Sequence, residues 1–130
     1  MIELDNVTVS EWMSTKIISV NYDDRFIKIK EMFDSYPVHH LLVMEKGELA
    51  GIISTHDMMK AYGMNIEERE KVIARDLMTP HPLTIDMADN IGLAADIILA
   101  NKFHALPVVD GNELVGIITS HDLIKFSFNL

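Results

Sequence analysis

Apolar and polar positions along the chain fall into two matching series. "IISV" (17–20) and "PLTI" (82–85) are short apolar runs with β-branched residues, which predicts a brief strand at each. After the first, Phe26, Ile29 and Phe33 recur at i, i+3 and i+7 in "DDRFIKIKEMFDSY", which predicts a helix with one apolar face. After the second, "ADNIGLAADIILANKF" carries Ile91, Ala94, Ala95, Ile98 and Leu99, a more apolar helix expected to lie deeper. "HHLLVMEKGELAGIIS" (39–54) and "HALPVVDGNELVGIIT" (104–119) each read as two strands about a turn. Lys46-Gly47 and Asp110-Gly111-Asn112 supply turn residues that tolerate positive φ. "STHDMMKAY" and "TSHDLIKFS" then open helices with hydroxyls suited to N-capping and an Asp in the first turn, where the helix dipole favours an anion. The order in each series is β-α-β-β-α. Residues 62–75, "YGMNIEEREKVIAR", make a charged, helix-prone connection in which "IEEREK" reads as a solvated face.

The two series stand in register at a constant shift of 65 residues. Between 39 and 60 the shift gives 11 identities in 22 positions without a gap, among them His39/His104, Leu41/Leu106, Gly51/Gly116, His56/His121 and Asp57/Asp122. Met13/Met78 and Asp24/Asp89 continue it upstream. A fixed, gapless offset is the mark of an internal duplication, and two copies favour a closed pseudo-symmetric pair over an open solenoid.

Composition narrows the class. A hydrophobic content of 48% with 24% charged residues is that of an ordinary globular domain and opposes disorder. No apolar run reaches the roughly 18 residues of a membrane span, and "MIELDNVTVSEWM" lacks the basic-then-apolar order of a signal peptide. With no cysteine, disulfide and thiolate chemistry are excluded, and a cytoplasmic location is the default expectation. Twenty acidic against eleven basic residues gives a net charge of −9, which opposes binding to nucleic acid or anionic membrane.

Candidate chemistry centres on "GIISTHD" (51–57) and "GIITSHD" (116–122). A hydroxyl and backbone N–H groups at a helix start form an anion pocket. An Asp three residues on can accept both hydroxyls of a vicinal diol such as a ribose. The glycine leaves room where backbone or ligand approaches closely. The same S/T-x-x-D pattern is also a plain capping box, with Asp in place of Glu. His56-Asp57 and His121-Asp122 are adjacent on a helix, about 100° apart, so they do not converge on a metal. No nucleophile elbow, Walker motif or G-x-G-x-x-G occurs, which argues against an enzyme. Met58 and Met59 are expected to pack against the partner repeat or a partner subunit, and Trp12 reads as a packing anchor.

"EWMSTKIISV" (11–20), "DLMTPHPLTI" (76–85) and "FHALPVVDGNELVGIITSHDL" (103–123), in this order and at this offset, resemble a pair of CBS domains, the Bateman module. The resemblance implies an α+β fold of two pseudo-symmetric β-α-β-β-α repeats packed through their sheets, with repeat 1 at 1–61, a helical connection at 62–73 and repeat 2 at 74–130. It implies an adenosine-containing ligand (AMP, ADP, ATP or S-adenosylmethionine) in clefts between the repeats, regulation in place of catalysis, a homodimer, and an effector protein as listener. By the same resemblance Asp57 and Asp122 hold ribose. Ser54, Thr119, His39, His40 and His104 stand on the phosphate side, and Ile18, Val20, Leu83 and Ile85 surround adenine. The chain departs from the family at Leu42, where copy two has Pro107, and at Ala105, where an Arg is common. With few Lys or Arg near the motifs, AMP or an S-adenosylmethionine-like ligand is favoured over ATP. The alternative is a ligand-free interaction module in which both heptapeptides are only helix caps.

Overall fold

Both hairpins form, and they form alike. In the computed structural model, which describes residues 6–101 and 104–129, β2 (His40–Glu45) pairs antiparallel with β3 (Glu48–Ser54), and β6 (Ala105–Asp110) with β7 (Glu113–Thr119). Leu41 faces Ile53 as Leu106 faces Ile118, and each ladder breaks at the same place, between Val43 and Met44 and between Val108 and Val109. The turns differ. Lys46 and Gly47 both have positive φ (51° and 80°), the pattern of a type I′ turn. At Gly111-Asn112 only Gly111 does (62°), the pattern of type II′.

The first strands are shorter than their apolar runs and start later. β1 (Ser19–Asn21) lies parallel to β2, and β5 (Ile85–Asp86) parallel to β6. Helix α1 (Phe26–Ser35) buries Phe26 and Ile29 and half-buries Phe33, as its spacing requires. Helix α5 (Ile91–Asn101) buries Ile91, Ala94 and Ile98, but Leu99 is 79% exposed, against the expectation of burial. Leu99 stands 100° round the helix from Ile98, off the arc shared by Ile91, Ala94 and Ile98. Because the helix is apolar on nearly every side, its sequence could not set that phase.

Two short helices follow β3 and another pair completes the set: α2 (Met58–Tyr62), α3 (Ile66–Lys71), α4 (Ala74–Leu77) and, after β7, α6 (Ser120–Ser127). Asn65 caps α3, its side chain accepting from Glu68 N, and no residue of α3 is buried, as expected of a solvated face. Among the described residues no helix is long and apolar enough to cross a membrane.

The compact units cut across the sequence repeats. One unit is Ile18–Pro82; the other joins Met1–Ile17 to Leu83–Leu130. Backbone pairing is the cause. Val9 N donates to Asp89 O, Ile91 N to Val7 O, and Ser14 exchanges two hydrogen bonds with Ile117 (2.8 and 2.9 Å). At the same shift of 65, Ala74 N donates to Asp24 O and Phe26 N to Val72 O, while β4 (Thr79–Pro80) pairs with Gly51 and Ile52 of β3. Each lead-in segment therefore serves the sheet of the other copy.

The first unit (18–82) carries a sheet in the order β1-β2-β3-β4, over a core of Val20, Phe26, Ile29, Leu41, Val43, Ile53 and Leu77. Met58 is buried in this same core, which also holds Ala74 and Leu77 of the second repeat, so it packs against the partner repeat as expected; Met59 stays 65% exposed. The second unit carries β5-β6-β7 over Val9, Ile85, Ile91, Ile98, Leu106, Val108, Ile118 and Phe126. Trp12 anchors the lead-in to this core, its ring 5.4 Å from that of Phe126.

Candidate ligand-binding site

In the first unit the heptapeptide ends β3 and turns into α2. Ser54 N donates to Asp57 Oδ2 (2.8 Å) and Asp57 N donates to Ser54 Oγ (3.2 Å), a closed capping box. In the second unit Thr119 N donates to Asp122 Oδ2 (2.8 Å), Asp122 N to Thr119 Oγ1 (3.3 Å), and the Thr119 hydroxyl to Asp122 Oδ2 (3.0 Å). There the helix starts at once. In the first unit a tighter turn comes before α2, closed by Asp57 N to Ser54 O, Met58 N to Thr55 O and Met59 N to His56 O. Both aspartates are half-buried. Among the described residues, Oδ1 of neither aspartate accepts a hydrogen bond.

The strand register collects further residues at the same end of each sheet. Thr55 N donates to His39 O (3.0 Å), His40 lies opposite Ser54, and Leu42 N donates to Ile18 O. Ile18, His39, His40, Ser54 and Asp57 thus gather within the first unit. In the second, Ser120 N donates to His104 O (2.9 Å) and Ala105 lies opposite Thr119, so His104, Thr119 and Asp122 gather, with Leu83 leading into β5. His39 and His104 are exposed and His40 is half-buried.

Val20 and Ile85 are placed otherwise. They pair in register with Val43 and Val108, and their side chains are buried in the two cores. Ile18 (half-buried) and Leu83 (49% exposed) keep accessible side chains.

The two heptapeptide glycines have a different neighbour from the one that a ligand site suggests. A Cβ on Gly51 would lie 2.5 Å from Met78 Sδ and 2.8 Å from Thr79 O; on Gly116 it would lie 2.7 Å from both Met13 Sδ and Ser14 O. The lead-in segments take up the space. They also bring Ser14 and Thr79 beside β7 and β3, two hydroxyl residues that the heptapeptides alone did not reveal. Their signal was in the sequence, as Met13-Ser14 and Met78-Thr79 recur at the 65-residue offset.

Comparison with known proteins agrees with this architecture. Residues 9–63 and 74–129 each match the CBS domain. Homoserine O-acetyltransferase of Methanosalsum zhilinae is 29% identical over 131 residues, which cover 97% of this chain and 25% of that protein. Across it and four further curated relatives, the chain spans 24% to 48% of the relative's length. The crystal structure of CBSX2 in complex with AMP is similar at TM-score 0.82 and 27% identity, over 95% of this chain and 98% of that one. Protein MJ1225 from Methanocaldococcus jannaschii is similar at TM-score 0.83 and 25% identity, over 95% of this chain and 48% of that one. With two matched domains, two equivalent sheets and the same capped Asp in each, the chain belongs to the CBS domain family.

Proposed function

We propose that the chain is a regulatory module that senses an adenosine-containing ligand and signals through a partner protein or its own assembly state, without a catalytic step. The observation that carries this is the division of labour within each aspartate. Oδ2 of Asp57 and Asp122 closes the capping box, while Oδ1 is left to accept from a ribose hydroxyl. Capping and ligand binding are therefore compatible roles for one side chain. Around it, Ser54 and Thr119 supply hydroxyls, and His39, His40 and His104 supply imidazole N–H groups that can donate to a phosphate. Ile18 and Leu83 offer apolar surface to a purine. The AMP bound by CBSX2, whose fold this chain shares, supports the ligand class. S-adenosylmethionine, ADP and ATP carry the same ribose. Such a ligand acts on the output only as far as it binds one state of the module better than another.

One observation favours a second reading, a ligand-free interaction module. Both capping boxes are complete from protein atoms alone. Calorimetric titration with AMP, ADP, ATP and S-adenosylmethionine decides between them. Asp57→Asn and Asp122→Asn keep a side-chain oxygen for the cap but replace the second acceptor with a donor. On the ligand reading each lowers affinity about tenfold or more with little change in thermal stability. No heat from any of the four ligands at millimolar concentration overturns the nucleotide reading.

A further inference from the structure

The two units differ at the ligand end of their sheets, at positions that the 65-residue shift makes equivalent. His40 in β2 is half-buried and lies opposite Ser54; its counterpart Ala105, opposite Thr119, has no polar side chain. Residues opposite one another in an antiparallel pair share a face of the sheet, so the His40 imidazole and the Ser54 hydroxyl stand on one side. The hydroxyls differ too. Ser54 Oγ accepts from Asp57 N, and its own hydrogen is not spent on that carboxylate. The Thr119 hydroxyl donates to Asp122 Oδ2 at 3.0 Å. Among these positions the first unit offers an anion the N–H groups of His39 and His40 and the O–H of Ser54, the second that of His104.

A further difference runs the other way. Leu42 N donates to Ile18 O at 3.1 Å, and β1 pairs with β2 from Ser19 onward. At the equivalent place Pro107 has no N–H to give to Leu83 O, and β5 starts one position later in register, at Ile85. Leu83 is 49% exposed, and among the described residues its carbonyl accepts no backbone hydrogen bond.

We propose that the two units have diverged in what they hold: the first selects an adenosine ligand that carries phosphate, the second a phosphate-free adenosine derivative recognised by its base. The division rests on the adenosine reading above and adds a specificity to each site. A phosphate requires donors, which the first unit supplies from three side chains. The 6-amino group of adenine requires an acceptor. The Leu83 carbonyl supplies one, whereas the Ile18 carbonyl already accepts from Leu42. A polar group left unmet discriminates more strongly than an apolar mismatch, because its lost hydration is not replaced. His40 on one side and Pro107 on the other are the specificity-determining residues.

Calorimetric titration of the full chain with AMP, adenosine and inosine tests it; inosine presents an oxygen where adenosine presents the amino group. Asp57→Asn is expected to weaken AMP about tenfold and not adenosine, and Asp122→Asn the reverse. His40→Ala is expected to lower the affinity for AMP relative to adenosine about tenfold. Pro107→Leu restores the missing N–H with the residue that the first copy holds there, and is expected to lower adenosine relative to inosine by a similar factor. Thermal melts establish that each variant is folded. If Pro107→Leu does not fold, the wild type decides by itself, since equal affinity for adenosine and inosine overturns base recognition. AMP and adenosine weakened alike by either Asp variant, or an unchanged AMP-to-adenosine ratio in His40→Ala, overturns the division while the adenosine reading stands. No heat from AMP or adenosine at millimolar concentration overturns both.

Discussion

Gly116→Ala adds one methyl group at the tightest backbone approach in the second unit. The new carbon would lie 2.7 Å from Met13 Sδ, 2.7 Å from Ser14 O and 3.2 Å from Met13 Cγ. Met13 can swing its flexible end aside, but the Ser14 carbonyl cannot. Ser14 N donates to Ile117 O at 2.8 Å and Ser14 O accepts from Ile117 N at 2.9 Å, so the strand segment is fixed one residue from the substitution. Relief requires the carbonyl to retreat by about 0.7 Å, which strains both bonds. Overpacking costs about 1–3 kcal/mol and two weakened hydrogen bonds about 1 kcal/mol more, while the stiffer unfolded chain returns about 0.4–1 kcal/mol. The net expectation is a destabilisation of about 1–3.6 kcal/mol, or about 4–13 °C in Tm for a chain of this size. Urea unfolding followed by the fluorescence of Trp12, the chain's one tryptophan, reads the unit directly, since its ring rests on Phe126. A midpoint equal to or above wild type refutes the reasoning. Combining it with Met13→Ala is expected to restore only part of the loss; full restoration would mean that the backbone yields and the sulfur alone was the obstacle. Gly51→Ala, facing Met78 Sδ at 2.5 Å and Thr79 O at 2.8 Å, is expected to behave alike in the first unit.

Three further outcomes follow from single side chains. Arg69 donates to the carbonyls of Ala61, Tyr62 and Met64 and lies over the rings of Phe26 and Tyr62, joining α2 and α3. Arg69→Lys, which cannot reproduce that fork, is expected to cost about 1.5–3 kcal/mol in urea unfolding. His81 holds φ at 49° between two prolines; His81→Val is expected to destabilise by about 1 kcal/mol or more and His81→Gly not at all, measured by thermal melts. Thr119→Ala removes the cap acceptor of Asp122 N, with an expected loss of about 1 kcal/mol, and native-state hydrogen exchange should place the fraying in the first turn of α6.

The period of the chain carried most of the fold. Alternation and turn residues located both hairpins, and the 65-residue offset anticipated their shared register, down to the bulge after Val43 and Val108. The Ser/Thr-x-x-Asp pattern located both capping boxes, because a cap depends on four consecutive residues and little else. Pairs that looked incidental in the sequence gained a reason. Asp24 and Asp89 each accept from the backbone N–H three residues earlier, Asn21 and Asp86, closing the turn after the first strand of each copy.

What the amino-acid order determined by itself was local and repeated: the elements, the duplication, the caps, and the room that each heptapeptide glycine provides. Only the tertiary structure decided what fills that room. The lead-in of each copy crosses to the sheet of the other, so Gly116 meets Met13 and Gly51 meets Met78, partners more than a hundred and nearly thirty residues away along the chain. It also decided which face of a largely apolar helix turns outward at Leu99, and that the side chains of Val20 and Ile85 are buried in the two cores. Those outcomes depend on pairing between distant segments, and no window of local periodicity contains both partners.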